Sequence, residues 1–213
     1  MLEATGSAWA LEEFGRAELG DTRRTARAIA MAGRLVEQPA GKVTEAFPTD
    51  GERQGAYGFL ENEQILSESL VDAAGCACAR RAAKFPLVFV PVDGSSARLT
   101  DAHGAKGFGA IGTYSAGARG IKVLSAIAVE ANGAPLGLAA QDLWMRSPER
   151  PHSRPPMKRR VHEKETQHWV DVIGATAARF RIEAPQSRCW FQLDREADAW
   201  PILQKLVDLP QHW

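Results

Sequence analysis

The pattern of apolar residues changes once along this chain, near residue 85. Before that point the spacing of apolar residues predicts several separate helices. After it comes "FPLVFVPVD", whose β-branched and aromatic residues predict a buried strand that ends near Asp93. We therefore expect an α+β or α/β protein with two domains, a helical one over residues 1–84 and a sheet-containing one over residues 85–213.

One predicted helix carries many arginines. The stretch "LGDTRRTARAIAMAGRLVEQPAG" offers Asp21 as an N-cap and Pro39 as a stop signal. Helical spacing gives it one apolar face, which we expect in the core: Ala26, Ile29, Ala30 and Gly33. Its arginines lie on another face or close to it: Arg23, Arg24, Arg27 and Arg34. Further helices are predicted over "GERQGAYGFLEN", with Tyr57, Phe59 and Leu60 in the core, and from about Ser67 to Lys84.

The second region alternates strands with one helix. Asn132–Gly133 is a strong hairpin signal between two apolar runs, and the glycine-rich stretch over residues 100–120 is expected to be a loop. "HEKETQHWVDVIGATAARF" has helical periodicity, with Trp169, Val172 and Ile173 on one side. "SRCWFQLD" then predicts the last strand, which ends at Asp194.

Composition excludes some classes of protein. Because 26 basic residues balance 26 acidic ones, bulk charge does not point to nucleic acid, and only local patches could. The most basic of these is "RSPERPHSRPPMKRR", which we expect to be a positively charged connector. No run approaches the roughly 18 apolar residues of a membrane span. The three cysteines form no paired motif, so a reducing cytoplasm is the expected compartment.

Two motif matches do not fit their usual context. Gly107–Gly112 matches GxGxxG, but a polar loop precedes it where the dinucleotide motif needs a strand. "HEKET" resembles a zinc-protease motif, yet Thr166 stands where the second histidine is needed. We therefore expect neither a nucleotide site nor a zinc site.

Asp93 and Asp194 each close a predicted buried strand. If the two strands are parallel neighbours, both carboxylates emerge at the same edge of the sheet, where α/β proteins often have their sites. Two carboxylates side by side repel each other unless a cation or a proton lies between them, and such oxygen ligands suit Mg²⁺ or Mn²⁺. An aspartate after a strand can equally be a solvated cap, and both interpretations remain open at this point.

Several segments carry a family resemblance, in this order along the chain: "WALEEFGRAELGDTRRTARAIAMAGRLVEQPAGKVTEAF", "RQGAYGFLEN", "VFVPVDGSSARLT", "RGIKVLSAIAVEANGAPLGLAAQDLWMR", "HEKETQHWV" and "DREAD". Together they resemble the bacterial insertion-sequence DDE transposases, the class to which the Tn-five transposase belongs. The resemblance spans nearly all 213 residues. One departure is that the family usually has threonines directly after its first aspartate, where this chain has Gly94 and Ser95.

The resemblance implies a ribonuclease-H-like sheet whose first and fourth strands are adjacent and parallel. It implies Asp93 and Asp194 as catalytic ligands of Mg²⁺ or Mn²⁺ in DNA nicking and strand transfer, in the cytoplasm of a bacterium and close to its nucleoid. Double-stranded DNA at transposon ends would be the partner, with a homodimer or a full-length transposase as further partners. It also implies DNA contacts by a set of basic residues: Arg23, Arg24, Arg27, Arg34, Lys158, Arg159, Arg160 and Lys164.

Such enzymes use a third acid, a glutamate on a later helix. The sequence given stops 19 residues after Asp194, so we expect an incomplete ribonuclease-H-like sheet and a C-terminally truncated transposase. Glu196 and Asp198 lie too close to Asp194 in sequence to replace that glutamate convincingly. Two alternatives remain: a protein that binds transposon ends or inhibits a full-length transposase without cutting DNA, and an unrelated Mg²⁺-dependent hydrolase of small phosphates.

Overall fold

A computed structural model describes residues 6–39, 42–101, 106–113, 117–148 and 164–209. The chain divides into two compact units, Met1–Cys78 and Ala79–Trp213. Each unit is described by itself below. None of the described helices is both long enough and apolar enough to cross a membrane.

Helices alone make up the first unit in its described part. Asp21 caps the arginine-bearing helix as expected, since its carboxylate accepts a hydrogen bond of 2.8 Å from the backbone N–H of Arg23. Thr49 and Glu52 form a reciprocal capping box on a later helix. The helices are α1 (Gly6–Phe14), α2 (Thr22–Glu37), α3 (Val43–Ala46), α4 (Asp50–Leu60) and α5 (Ser67–Ala82), of which the last crosses the division between the units.

Small side chains build the core of this unit and let its helices approach closely. Two buried clusters form, and Phe59 packs against both of them. A Cβ added at Gly33 of α2 would lie 3.2 Å from the Cα of Ser7 in α1, so a larger residue would push the two helices apart. The buried members of the clusters are Ala17, Leu19, Ala28 and Ala73 in one, and Met31, Ala46, Phe47 and Ala56 in the other.

The predicted core face of α2 is partly wrong. Gly33 is buried, but Ala26 and Ala30 are exposed, and Ala28 and Met31 face the core instead. Alanines occupy two opposite sides of this helix, so the apolar pattern alone cannot say which side the neighbouring helices cover. The expected core positions of Tyr57 and Leu60 are also wrong: these side chains are 42% and 60% exposed.

A four-stranded mixed sheet forms the centre of the second unit, and its order is β3-β2-β1-β4. β1 pairs antiparallel with β2, β2 antiparallel with β3, and β1 parallel with β4. The expected hairpin turns at Asn132 and Gly133, and the α+β prediction is confirmed. The elements are β1 (Leu87–Arg98), β2 (Gly120–Val129), β3 (Pro135–Trp144), α6 (Thr166–Glu183), β4 (Arg188–Leu193), a short 3-10 helix (Arg195–Ala197) and α7 (Trp200–Val207).

The two faces of this sheet differ in burial. Val88, Val90 and Val92 of β1 are buried on the side that α6 covers, where Trp169, Val172 and Ile173 are buried as predicted. Side chains alternate along a strand, so the odd-numbered residues of β1 project from the other face. Phe89 lies on that face, 6.0 Å from the ring of Trp190, which is 57% exposed. In-register partners on β1 and β4 therefore project to the same side.

β1 does not end near Asp93, as "DGSS" had suggested. It continues to Arg98, and Asp93 pairs with Ser125 of β2. The local turn signal is overridden because the residues after Asp93 find backbone partners along β2, and strand formation depends strongly on such neighbours.

Candidate carboxylate site and arginine-bearing helix

The parallel pairing of β1 and β4 brings Asp93 and Asp194 together. The last registered pair is Val92 with Leu193, so the next residue on each strand is the aspartate. Neighbouring strands lie about 4.8 Å apart, and equivalent positions project to the same face. Two carboxylates that are distant in sequence thus stand side by side at the end of β4, on the face that carries Phe89 and Trp190.

Both carboxylates are exposed, and each makes one short-range hydrogen bond. Asp93 accepts 2.9 Å from the backbone N–H of Gly94, and Asp194 accepts 2.9 Å from that of Glu196. Asp194 therefore does cap the 3-10 helix that follows it. Since no ion pair reaches either aspartate in the part of the chain that the structure describes, their mutual repulsion would be relieved by a bound cation.

Glu196 is a third acid close to this pair. Its Oε2 lies 3.8 Å from the position that a Cβ on Gly94 would occupy, so its side chain reaches β1 at the residue after Asp93. Alternation along the strand turns that position toward the face opposite the Asp93 side chain. However, the described residues contain no group of three acidic, histidine or cysteine side chains arranged to hold a metal ion. Among them, the carboxylate site consists of two aspartates with a glutamate nearby.

Two of the α2 arginines hold the helical unit together. Arg24 donates 3.0 Å to the carbonyl oxygen of Leu19 and also bonds the side chain of Gln64. Nε of Arg34 donates 3.2 Å to the carbonyl oxygen of Ala46. Both arginines are half-buried, and their hydrogen bonds tie α2 to the segments around it.

Arg23 and Arg27 are the exposed arginines of α2. They lie one helical turn apart and therefore on one side of the helix. The Arg27 guanidinium lies against α4, where a Cβ on Gly55 would be only 2.7 Å from Nη1, so glycine leaves the space that this side chain occupies. Arg23 is the freer of the two cations.

Lys164 is half-buried just before α6, while Lys158, Arg159 and Arg160 lie outside the described residues. The neighbouring Glu165 makes a two-pronged ion pair with Arg146, in which Nη2 donates 2.6 Å to Oε2 and Nε pairs with Oε1. This hydrogen bonding by Arg146 holds the pKa of Glu165 below its usual value. Arg146 also donates 2.9 Å to the carbonyl oxygen of Gly112, and so joins the glycine-rich loop to the start of α6.

A second polar group lies beside this pair on the covered face of the sheet. The His168 ring stacks on Trp144 with 3.8 Å between ring centroids, and its Nδ1 lies 2.6 Å from Oδ2 of Asp142. Alternation along β3 and its extension puts Asp142, Trp144 and Arg146 on one side. The sequence held a signal for this group, side chains that can form hydrogen bonds at every second position at the end of β3, but the sequence analysis assigned Arg146 to the basic connector instead.

The comparison with known families concerns the first unit. Residues 6–65 match the transposase DNA-binding family. The matched segment runs from α1 past the end of α4 and includes the four α2 arginines. This match supports a transposase with DNA as its partner, and it supports binding of transposon ends by the helical region.

The matched segment is not basic overall. Residues 6–65 hold seven basic and ten acidic side chains, so the bulk charge of this segment does not attract DNA. Any attraction to phosphate would have to come from individual cations, and Arg23 and Arg27 are the exposed arginines of α2.

Proposed function

We propose that this chain is a DDE-type transposase protein resembling the Tn-five class. Its helical region recognises transposon ends, and its sheet is a ribonuclease-H-like core that nicks DNA and transfers the strand. The observation that carries the proposal is the parallel register of β1 and β4, which sets Asp93 beside Asp194. The transposase DNA-binding match favours DNA as substrate over small phosphates. A bacterial cell, with the protein near the nucleoid, is part of this proposal.

Asp93 and Asp194 would hold the metal. Two exposed carboxylates without a described ion-pair partner fit Mg²⁺ or Mn²⁺, which take oxygen ligands and keep several waters. When bound, such an ion activates the attacking oxygen and stabilises the leaving oxygen of a phosphodiester. The chain's own contribution is to fix the two carboxylates: adjacent strands set their spacing, and the backbone N–H groups of Gly94 and Glu196 orient one oxygen of each.

Arg23 and Arg27 would bind the DNA backbone, and a homodimer or a full-length transposase would complete the assembly. Each lost phosphate contact lowers the slope of log K against log salt by about 0.9, which corresponds to about fivefold in affinity at 0.15 M salt. Arg24 and Arg34 have structural partners, so their substitution should reduce stability as well as binding. Substitution of Arg23 or Arg27 should therefore weaken DNA binding alone, whereas substitution of Arg24 or Arg34 should also lower stability. DNA-binding titrations and melting temperatures of the four variants distinguish the two classes.

The test of this proposal starts from binding. The full chain is used to enrich a duplex from a randomised pool, and fluorescence anisotropy across a salt series then measures its affinity. Arg23→Gln should bind about fivefold more weakly at 0.15 M salt with an unchanged melting temperature. Arg181→Gln removes the same charge from an exposed site on α6 and serves as the control. Failure of the wild-type chain to enrich any duplex would refute the DNA-binding role.

The second arm measures cutting. Supercoiled plasmid carrying the enriched sequence is incubated with the chain and Mn²⁺, and nicked circles are counted on a gel. Asp93→Asn and Asp194→Asn should each abolish nicking while leaving anisotropy unchanged. Asp171→Asn, an exposed aspartate on α6, should nick as the wild type does. Nicking that survives Asp194→Asn would exclude the metal site.

A second function is favoured by one observation. Among the described residues no third ligand completes the aspartate pair, which suits a chain that binds transposon ends, or inhibits a full-length transposase, without cutting. Wild-type protein that binds the enriched duplex with nanomolar affinity but leaves the plasmid intact in Mn²⁺ would select this alternative.

A further inference from the structure

A row of four polar side chains crosses the sheet through Asp93. Asp93 pairs with Ser125 of β2, and Ser125 pairs with Gln141 of β3. Asp194 takes the next place after the last registered pair on β4. Because in-register partners project to the same side, all four side chains lie on the face that also carries Phe89. The two carboxylates therefore form one end of a longer polar row.

Ser125 and Gln141 are linked by a hydrogen bond, and both side chains are half-buried. In this bond, Nε2 of Gln141 donates 2.9 Å to Oγ of Ser125. The next residues on the same face are apolar, Ile127 along β2 and Leu143 along β3. The hydrogen bonding of the pair is therefore directed across the strands, along the polar row, rather than along either strand.

The hydroxyl proton of Ser125 is a donor that can serve Asp93. An ionised carboxylate only accepts hydrogen bonds, whereas the Ser125 oxygen already accepts one and keeps its proton to donate. Residues directly opposite each other on antiparallel strands have Cβ atoms about 4.5–5.5 Å apart, a span across which serine hydroxyls form hydrogen bonds. Among the described residues, Oδ1 of Asp93 accepts from the backbone N–H of Gly94, and Oδ2 has no hydrogen bond. The carboxylate thus has an acceptor oxygen to offer to this hydroxyl.

We propose that Gln141 and Ser125 are positioning residues for the metal-binding carboxylate of Asp93. The inference rests on the proposed function. Gln141 occupies the Ser125 oxygen and so directs its hydroxyl proton, which donates to Oδ2 of Asp93. A carboxylate has about four lone-pair sites, so this bond and that from Gly94 leave positions for the metal. Hydrogen bonds of this kind orient metal ligands, and their loss typically lowers metal affinity by about 10–100-fold.

The order of the strands explains why this hydrogen bond suits the pair of aspartates. β2 and β4 flank β1, so Ser125 and Asp194 lie on opposite sides of Asp93. A hydrogen bond that fixes Oδ2 on the Ser125 side turns Oδ1 toward the second carboxylate. Without that bond the exposed carboxylate rotates over a broad range, because torsions of this type have shallow minima. Binding of a cation would then have to restrict the rotation, and the affinity would fall.

The test measures Mn²⁺ binding by the full chain in the absence of DNA. Electron paramagnetic resonance follows the loss of the free Mn²⁺ signal, and the binding that Asp93→Asn removes is assigned to the carboxylates. Ser125→Ala should weaken this binding about tenfold, whereas Ser125→Thr, which keeps a hydroxyl, should stay close to the wild type. Gln141→Leu should weaken it about threefold, because the hydroxyl remains but its proton is no longer directed.

A matched control and a second readout separate positioning from a general loss of structure. Ser96 is an exposed serine of β1 that projects from the opposite face, so Ser96→Ala should bind Mn²⁺ as the wild type does. In the plasmid assay, Ser125→Ala should raise the Mn²⁺ concentration for half-maximal nicking about tenfold and keep most of the maximal rate. A variant that is merely less well folded would instead lose maximal rate at every Mn²⁺ concentration.

Several results would overturn the positioning role. Ser125→Ala could bind Mn²⁺ with wild-type affinity, or Ser125→Thr could fail to restore the binding. Gln141→Leu could leave the binding unchanged or tighten it, which would show that Ser125 donates to Gln141 rather than to Asp93. A lower maximal nicking rate for Ser125→Ala at unchanged Mn²⁺ affinity would assign the hydroxyl to the substrate instead. All of these results leave wild-type Mn²⁺ binding and its loss in Asp93→Asn intact, whereas failure of the proposed metal site removes both.

Discussion

Breaking the ion pair between Arg146 and Glu165 should loosen the start of α6 and the glycine-rich loop together. Arg146 donates to both carboxylate oxygens of Glu165 and to the carbonyl oxygens of Gly112 and Ala110. Glu165→Gln keeps the shape of the side chain and removes its charge. Arg146→Ala removes all of these contacts at once.

The size of the effect follows from the geometry and the exposure. A hydrogen bond to a charged group contributes about 1.5–3 kcal/mol, but the Glu165 side chain is 43% exposed, and solvent screening lowers that value. We expect about 1–2 kcal/mol of destabilisation for Glu165→Gln. Arg146→Ala should cost about 2–3 kcal/mol, since it also leaves two backbone carbonyl groups without their donor.

The dependence on pH has a definite sign. Arg146 lowers the pKa of Glu165 below its ordinary value of 4.5, so the folded state favours the charged carboxylate. The stabilisation of the folded state by this ion pair is therefore complete at pH values above the ordinary pKa of Glu165, and it disappears as the pH falls through the lowered pKa. Glu165→Gln should be less stable than the wild type at pH 7, and the two should converge in acid.

Urea unfolding of the full chain, followed by hydrogen exchange at α6 amides, measures these differences. The double variant completes a cycle whose coupling energy should be about 1–2 kcal/mol. A coupling energy near zero, or a wild-type advantage that stays constant from pH 7 into acid, would refute the role assigned to this pair.

Two further changes test the helical unit. Gly33→Val should destabilise it by about 1–3 kcal/mol in urea melts, because a Cβ at that position would lie only 3.2 Å from the Cα of Ser7. The control Gly58→Val, where a Cβ would have no atom within 4 Å, should change stability by less than about 0.5 kcal/mol. Equal losses for the two variants would contradict the close crossing of α1 and α2. Asp21→Ala should cost about 1 kcal/mol of stability, because it removes the acceptor for the backbone N–H of Arg23. Asp21→Asn, which keeps an acceptor oxygen, should recover most of that stability. An unchanged melting temperature for the alanine variant would show that the cap contributes nothing.

Local signals in the sequence predicted most of the secondary structure. Asp21 caps α2, Asn132 and Gly133 turn the hairpin, and Trp169 faces the core, each because the deciding interactions lie within a few residues. The face of α2 was harder to predict. Alanine suits both a core and a surface, so only the packing of neighbouring helices shows that Ala28 is buried and Ala26 is not.

The sites depended on contacts between distant residues. The sequence by itself determined that Asp93 and Asp194 each follow an apolar run and that α2 carries four arginines. Only the tertiary structure decided that the two strands are parallel neighbours, that β1 continues to Arg98, and that Glu165 forms an ion pair with Arg146. Strand pairs and ion pairs join residues that are distant in sequence. The residue pattern of one segment does not show which distant segment will lie beside it in the folded protein.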